Sequence, residues 1–437
     1  MSSEWRECSL GDLITIKHGF AFSGEQISKN QGKCVLGTPG NFEIGGGFKE
    51  GNAKYFHGEY TQEYIFASGD LIVTMTDLSK TADTLGYSAK IPGEKGKIYL
   101  HNQRVGKVCS KSTEAELDYL FWVMRHRDYR SWVVSTATGS TVKHTSPSRI
   151  LEYSFQLPPL GEQKAIAHIL GTLDAKIELN RKTNETLEAM ARALFQSWFV
   201  DFDPVRAKAD GRPTGLPDAI SDLFPDSFED SELGEIPKGW EVKALDEIAI
   251  NPRETAKPGE MDSSDRYIGL EHMPRGSICL GESGEAEDLE SNKNRFREGD
   301  VLFGKLRPYF KKTGYAQFDG VCSTDIVVAR MRGESGAGFV CCLFASDPFV
   351  NFTVAASTGT RMPRTSWSDM CKFPFAIPTP PLLKEFDNQF CRLIERIKFG
   401  CDHSSHLASA RDTLLPKLIS GELRIPDAEK LLEQADV

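Results

Sequence analysis

The sequence predicts an α+β protein: two tandem mixed α/β domains joined by two long, antiparallel, coiled-coil-like helices with pseudo-twofold symmetry. Three observations carry that expectation. The first is an internal repeat. Ser135 to Thr141 reads STATGST and Ser357 to Thr360 reads STGT. Laying Gly139 on Gly359 places Phe155 on Phe375, Leu173 on Leu393, Leu187 on Leu407 and Leu194 on Leu414 at one constant shift. Upstream the register drifts but persists, with Gly69-Asp70-Leu71 on Gly299-Asp300-Val301, Gly86-Tyr87 on Gly314-Tyr315 and Trp5 on Trp240. Self-similarity over this length marks a duplicated domain.

The second observation is periodic. Ile166, Leu170, Leu173, Ile177, Asn180, Asn184, Leu187, Ala191, Leu194 and Trp198 alternate steps of four and three, which is a coiled-coil seam. Phe386, Phe390, Leu393, Ile397, Gly400, Ser404, Leu407, Arg411, Leu414 and Leu418 repeat it, with polar or small residues at the same two central steps. Forty helical residues make a rod of about 60 Å. Such a rod is too long to bury its seam on one small domain, so the two are expected to pack on each other. The third observation is punctuation: Pro158-Pro159 ends the first domain, because proline cannot continue a central strand and restricts the residue before it.

The expected order is therefore a first domain at 1–158, a long helix at 159–200, a linker at 201–237, a second domain at 238–380, a second long helix at 381–421 and a tail at 422–437. Within the first domain Leu71-Ile72-Val73 and Val105 to Val108 read as strands and Leu117 to Val133 as one helix. The linker is rich in Pro, Gly and Asp without a sustained period, and reads as extended chain.

With 437 residues, 40% hydrophobic and 26% charged, the chain can build two or three cored domains. A net charge of −10 argues against a protein that coats nucleic acid by bulk electrostatics, so any DNA binding must be local or shared. The stretch Lys305 to Lys312 is such a local basic run. No apolar run is long enough for a membrane span, and MSSEWRECSLGD has no signal-peptide pattern, so a cytoplasmic location is expected. The ten cysteines form no C-x-x-C pair and read as reduced thiols.

Catalytic signatures are sparse. There is no G-x-x-x-x-G-K-[ST] loop and no Asn-Pro-Pro-aromatic motif. Asp226, Glu241 and Lys243 imitate the carboxylate pair plus lysine of a Mg²⁺ nuclease, a stand-alone activity that is the alternative reading, but the other copy has no such triplet. His403 and His406 lie three apart on the second rod and read better as a solvated face than as metal ligands. No catalytic and no metal-ligating residue is assigned.

The ordered set GDVLFGKLRPYFKK at Gly299 to Lys312, CSTDIVVAR at Cys322 to Arg330, FQLPPLGEQKAI at Phe155 to Ile166, FVDFDPV at Phe199 to Val205 and LFPDSFEDSELGEIPKGWEV at Leu223 to Val242 resembles the specificity subunit of type I restriction-modification systems. The resemblance covers nearly the whole chain. It implies a non-catalytic subunit with two target-recognition domains, each reading half of a bipartite site in double-stranded DNA. It also implies docking of two modification subunits that use S-adenosylmethionine to methylate adenine N6, and of restriction subunits that translocate and cleave with ATP and Mg²⁺. The first domain departs from the pattern, offering Met75 to Thr84 (MTDLSKTADT) where the second has its basic stretch. Different chemistry is therefore expected at the two half-sites. A third reading keeps the repeat as a scaffold that binds protein only, against which the basic stretch speaks.

The residues expected at DNA are Ser140, Thr141, Lys143 and His144 in the loop before the first rod, with Asn102, Gln103 and Arg104, since Asn and Gln suit adenine. In the second copy they are Thr360, Arg361 and Arg364 with Lys305, Arg307, Tyr309 and Lys311, where Arg suits guanine and Lys anchors phosphate. Phe195, Trp198 and Phe199 at the end of the first rod carry more aromatic surface than a two-helix seam buries, and are expected to pack on the linker or on a modification subunit. The length of the rods is expected to set the nonspecific gap between half-sites.

Overall fold

The computed structural model describes residues 5–51, 53–79, 81–287, 289–357, 359 and 362–434. The chain forms two compact units: Met1–Lys176 with His406–Val437, and Ile177–Ser405. The division cuts both long helices, Leu160–Phe199 and Pro380–Ile419, so each unit holds one domain, the first part of the helix that follows it and the last part of the other helix.

Unit 1 contains a four-stranded sheet in the order Ile14–His18, Val105–Ser110, Leu71–Thr74, Ser88–Lys90, antiparallel throughout. All four residues of Leu71–Thr74 are buried, which is why the segment reads as a continuous apolar run rather than an alternation. A second sheet runs Ile27–Ser28, Lys54–Phe56, Cys34–Gly37, Ile98–His101, its last pair parallel. The stretch expected to be one helix is two, Leu117–Val123 and Arg127–Ser135. The break falls where the His126 ring accepts the Asp128 backbone N–H at 3.3 Å and caps the second helix. Side-chain capping offers the backbone an alternative to continuing the first helix.

Unit 2 repeats the plan. Ala249–Ile250, Ile326–Met331, Val301–Gly304 and Thr313–Tyr315 form its four-stranded sheet, and Ala337–Ala345 and Asp347–Ala355 its helix pair, with Ser346 as the cap between them. Its second sheet has five strands, in the order Thr255–Ala256, Lys293–Phe296, Gly320–Cys322, Arg266–Ile268, Gly284–Glu285. The repeated Gly-Asp is a turn in both copies. Gly69 and Gly299 take φ of 81° and 87°, and the following Asp accepts the N–H three residues back, Ala67 at 2.7 Å and Arg297 at 2.8 Å.

The helices pair antiparallel inside each unit. In unit 1 Asp174 meets Arg411 at 2.6 Å. In unit 2 the Asn180 amide donates to Ser404 Oγ at 3.2 Å and the Asn184 amide meets Cys401 Sγ at 3.3 Å. A Cβ on Gly400 would lie 2.5 Å from Asn184 Oδ1, so the glycine at this seam step makes room for an amide.

The segment 201–237 differs from the expected extended linker. It holds helices Asp203–Ala209 and Asp218–Ser221 and a hairpin of Phe228–Ser231 with Gly234–Pro237. Val205, Phe224 and Ile236 are buried in the core of unit 2, and this tertiary burial orders a stretch with no period of its own. Among the described residues no single helix is long and apolar enough to cross a membrane.

Candidate nucleic-acid interface

In unit 1 three separate segments are tied together past the end of the strand Leu71–Thr74. Thr76–Asp77 pairs antiparallel with Lys143–His144. The Met75 N–H donates to the Arg104 carbonyl at 3.1 Å and the Thr145 N–H to the Met75 carbonyl at 3.0 Å. Asn102, Gln103 and Arg104, the loop from Met75 to Thr84 and the Gly139 to His144 turn thus share one surface. The turn is closed by reciprocal 2.9 Å hydrogen bonds between Thr138 and His144. Gly139 has φ of 93°, and a Cβ there would collide with the Val142 carbonyl, so this position demands glycine. Ser140 and Thr141 are exposed at the tip, Lys143 is half-buried, and His144 is exposed with Nδ1 3.2 Å from Thr76 Oγ. The side-chain oxygen of Asn102 accepts the Arg104 N–H at 3.1 Å and shapes its turn, leaving Gln103 and Arg104 exposed.

Unit 2 gathers its counterparts with equivalent bonds, Leu306 bridging antiparallel to Arg364 as Thr76 pairs with His144. The Thr365 N–H donates to the Lys305 carbonyl at 3.0 Å, and the Arg307 N–H to the Pro363 carbonyl at 2.8 Å. Arg307 and Lys311 flank the short turn Pro308–Phe310 at φ of 53° and 51°, a left-handed conformation that costs side-chain-bearing residues energy and that the surrounding contacts hold in place. Tyr309 is 47% exposed at the tip. Arg364 is ion-paired with Asp325, and Lys311 with Asp347. Burial, and then the positive charges of Arg364 and Arg253, push the Lys305 ammonium below the usual lysine range. Asp325 works against this shift but is already paired with Arg364, so three cations share one carboxylate and a further anion would relieve the remaining charge. Thr360 and Arg361 lie outside the described residues.

Two residues at these surfaces escaped the sequence reading. Arg253 is exposed, with φ of 49°, near Lys305 although 52 positions earlier in the chain. Leu78 is 67% exposed at the tip of the unit 1 loop. The repeat was the available signal for Leu78, since its loop follows the strand that matches the one before Lys305.

The expected aromatic surface at Phe195, Trp198 and Phe199 is corrected by their burial. They are 5%, 2% and 6% exposed and form the hub of the unit 2 core. Phe199 sits 4.9 Å from Phe386 and 5.1 Å from Phe339, and Trp198 sits 5.1 Å from Phe224 of the connecting segment. Packing on that segment was one of the two roles expected; an accessible face for another subunit is absent at these side chains. Exposed apolar side chains lie elsewhere on the rods, at Leu179 (64%) and Phe399 (71%), which the 220-residue repeat shift makes equivalent.

Glu241 and Lys243 pair with each other at 2.9 Å on a strand, and Asp226 accepts a hydrogen bond from its neighbour Ser227 at 3.2 Å. Among the described residues no three His, Cys, Asp or Glu side chains converge as a metal site. The His403 ring Nδ1 lies 3.2 Å from the Asn180 amide.

A family model for the type I restriction modification DNA specificity domain matches residues 2–189. The chain is 28% identical to the type I restriction enzyme HindI specificity subunit of Haemophilus influenzae, over 96% of this chain and 100% of that one. It is 27% identical to the type I restriction enzyme MjaIX specificity subunit of Methanocaldococcus jannaschii, over 71% and 70% of the two chains. The crystal structure of the type I restriction-modification S subunit from M. genitalium is similar in fold, with a TM-score of 0.56 at 15% identity over 95% of this chain and 96% of that one.

Proposed function

We infer that this chain, which belongs to the family of type I restriction enzyme specificity subunits, gives its complex a two-part DNA target by presenting one recognition surface from each unit. It is the non-catalytic subunit, and the chemistry of the assembled complex belongs to its partners. One observation supports the two-part reading above all. Met75 to Thr84 and Lys305 to Thr313 have unrelated sequences, yet each is bonded to the segment preceding its long helix, so one frame carries two different sets of side chains.

In this reading Ser140, Thr141, Lys143, His144, Asn102, Gln103 and Arg104 meet the first half-site. Lys305, Arg307, Tyr309, Lys311, Thr360, Arg361 and Arg364 meet the second, joined by Arg253. Hydroxyls and lysines fix the backbone while amides and guanidinium groups read base edges in the major groove. The local cations supply what a chain of net charge −10 lacks on average. Two modification subunits, which bind S-adenosylmethionine and methylate adenine N6, dock on the long helices. The equivalent exposed positions Leu179 and Phe399 suit two copies of one partner. Restriction subunits bring ATP and Mg²⁺, the complex works in the cytoplasm, and the length of the helices sets the spacer.

The test is single-molecule methylation mapping of DNA from cells making this chain with a type I modification subunit, against cells making that subunit alone. A new bipartite methyladenine motif is the expected result. An assembled complex that leaves no new motif overturns the reading.

A further inference from the structure

Leu78 is an apolar side chain held out into solvent beside a hydrogen-bonded turn. The Asp77 next to it is 5% exposed, and its carboxylate accepts the Ser79 N–H at 2.6 Å, the Thr84 hydroxyl at 2.8 Å and the Thr84 N–H. Burial alone would raise the Asp77 carboxyl, but these hydrogen bonds outweigh it and hold it below its usual range. The Asp83 N–H donates to Ser79 Oγ at 2.8 Å, and Ala82 turns the chain with φ of 57°. The loop is closed around one carboxylate, and Leu78 projects from it at 67% exposure.

Leu78 also borders a cleft of about 360 Å³, with Phe22 and Leu36 on its apolar side and Asn102, Gln103 and Arg104 on its rim. Because Asn102 is engaged in its own turn, Gln103 is the primary amide presented beside Leu78. The pairing of an apolar finger with a primary amide selects a ligand. Along the major groove the thymine methyl is the apolar group on offer, and adenine N6 and N7 are the donor and acceptor that a primary amide matches. Both belong to a single A·T pair. The corresponding loop of unit 2 carries Arg307 and Tyr309 instead, so this combination is particular to unit 1.

We propose that this cleft reads one A·T pair, with Gln103 on the adenine and Leu78 against the thymine methyl. The proposal rests on the DNA-specificity reading above and names the base pair chemistry of the first half-site. Leu78 is then a specificity-determining residue, and its frame around Asp77 is a positioning device that keeps an apolar side chain from folding back.

The experiment uses the complex of this chain with its modification subunit and the target found by methylation mapping. Each thymine in turn is replaced by deoxyuridine, which lacks only the 5-methyl group, and each adenine by 7-deaza-adenine, which lacks the N7 acceptor. Wild type is expected to lose roughly fourfold in affinity at one thymine, the loss that one buried methyl accounts for. Leu78→Ala binds the thymine and uridine duplexes equally, and Gln103→Ala loses sensitivity to 7-deaza-adenine at the adenine opposite that same thymine. Both variants keep the wild-type response to analogues in the other half-site, which shows that they are folded. A Leu78→Ala complex as sensitive to uridine as wild type overturns the proposal, as does a wild type indifferent to uridine at every thymine. A complex that yields no bipartite motif fails at the mapping stage and overturns the parent reading, and the proposal with it.

Discussion

At the place where its helix pair meets the long helices, unit 1 is charged and unit 2 is apolar. In unit 1 the Arg125 guanidinium, its side chain 5% exposed, donates to Asp174 at 2.8 Å and to the Gly45 carbonyl at 2.7 Å, and stacks over Trp122 at 4.5 Å. Asp174 is shared with Arg411 of the second helix. The repeat places Ala345, Ile394 and Ala191 at these three positions in unit 2, where Ile394 and Ala191 are 2% and 1% exposed within one continuous core. The same junction can thus be built from an ion triad or from aliphatic packing. The duplication conserves the shape of the joint and not its chemistry. A buried ion pair gains little over hydrophobic packing of equal volume, yet breaking it is costly, because the surviving charge is left without a partner.

The aromatic hub provides the largest way to break the contrast. Phe199→Ala opens a cavity among Phe339, Phe386 and Trp240, and is expected to cost about 3–5 kcal/mol. Urea unfolding followed by peptide-resolved hydrogen exchange should show the loss in unit 2 with unit 1 little changed. Asp174→Ala comes next: it strands Arg125 and should destabilise unit 1 by about 3 kcal/mol in the same assay. The sharper form makes the triad apolar, with Asp174→Ile and Arg411→Ala taken from unit 2 and Arg125→Met filling the volume of the long side chain. This triple variant should recover at least about 1 kcal/mol relative to Asp174→Ala alone. A triple variant less stable than the single one would show that the two joints are not interchangeable.

The smallest effect is in pH. Unit 1 buries His101 and His126, and burial lowers the pKa of both imidazoles by disfavouring the charged form. Unit 2 has Cys322 and Ser346 in their places. The unfolded chain therefore binds protons that folded unit 1 does not. Stability is complete above the ordinary histidine pKa of about 6.5 and is lost as pH falls below it toward the lowered folded values. Hydrogen exchange at pH 7.5 and 5.5, corrected for intrinsic rates, should show unit 1 opening more readily in acid than unit 2. Equal responses would remove this difference from the comparison.

What could be read from the sequence follows the range of the interactions. The seam from Ile166 to Trp198 was legible because helical periodicity is local. So was Gly139, because its turn imposes a conformation that only glycine adopts easily. The connecting segment was not legible, since Phe224 and Ile236 are ordered by a core assembled from residues far along the chain. Phe195, Trp198 and Phe199 were identified as a cluster, but their direction depends on Phe339 and Phe386, which lie more than 130 positions away. Arg253 and Leu78 were missed for a related reason: neither belongs to a motif, and their importance comes from what the fold places beside them.

The amides at the centre of the helix pair have one further consequence. Asn180 faces Ser404 and Asn184 faces Cys401 and Gly400. Sliding the second helix by one heptad would set Asn180 against Ile397 and Asn184 against Ile394, leaving two amides in an aliphatic environment with no acceptor or donor. The apolar stripe by itself would tolerate several alignments of two such rods. Asn180 and Asn184 work as the teeth of a lock, penalising that slip in a duplicated sequence able to pair out of step with itself.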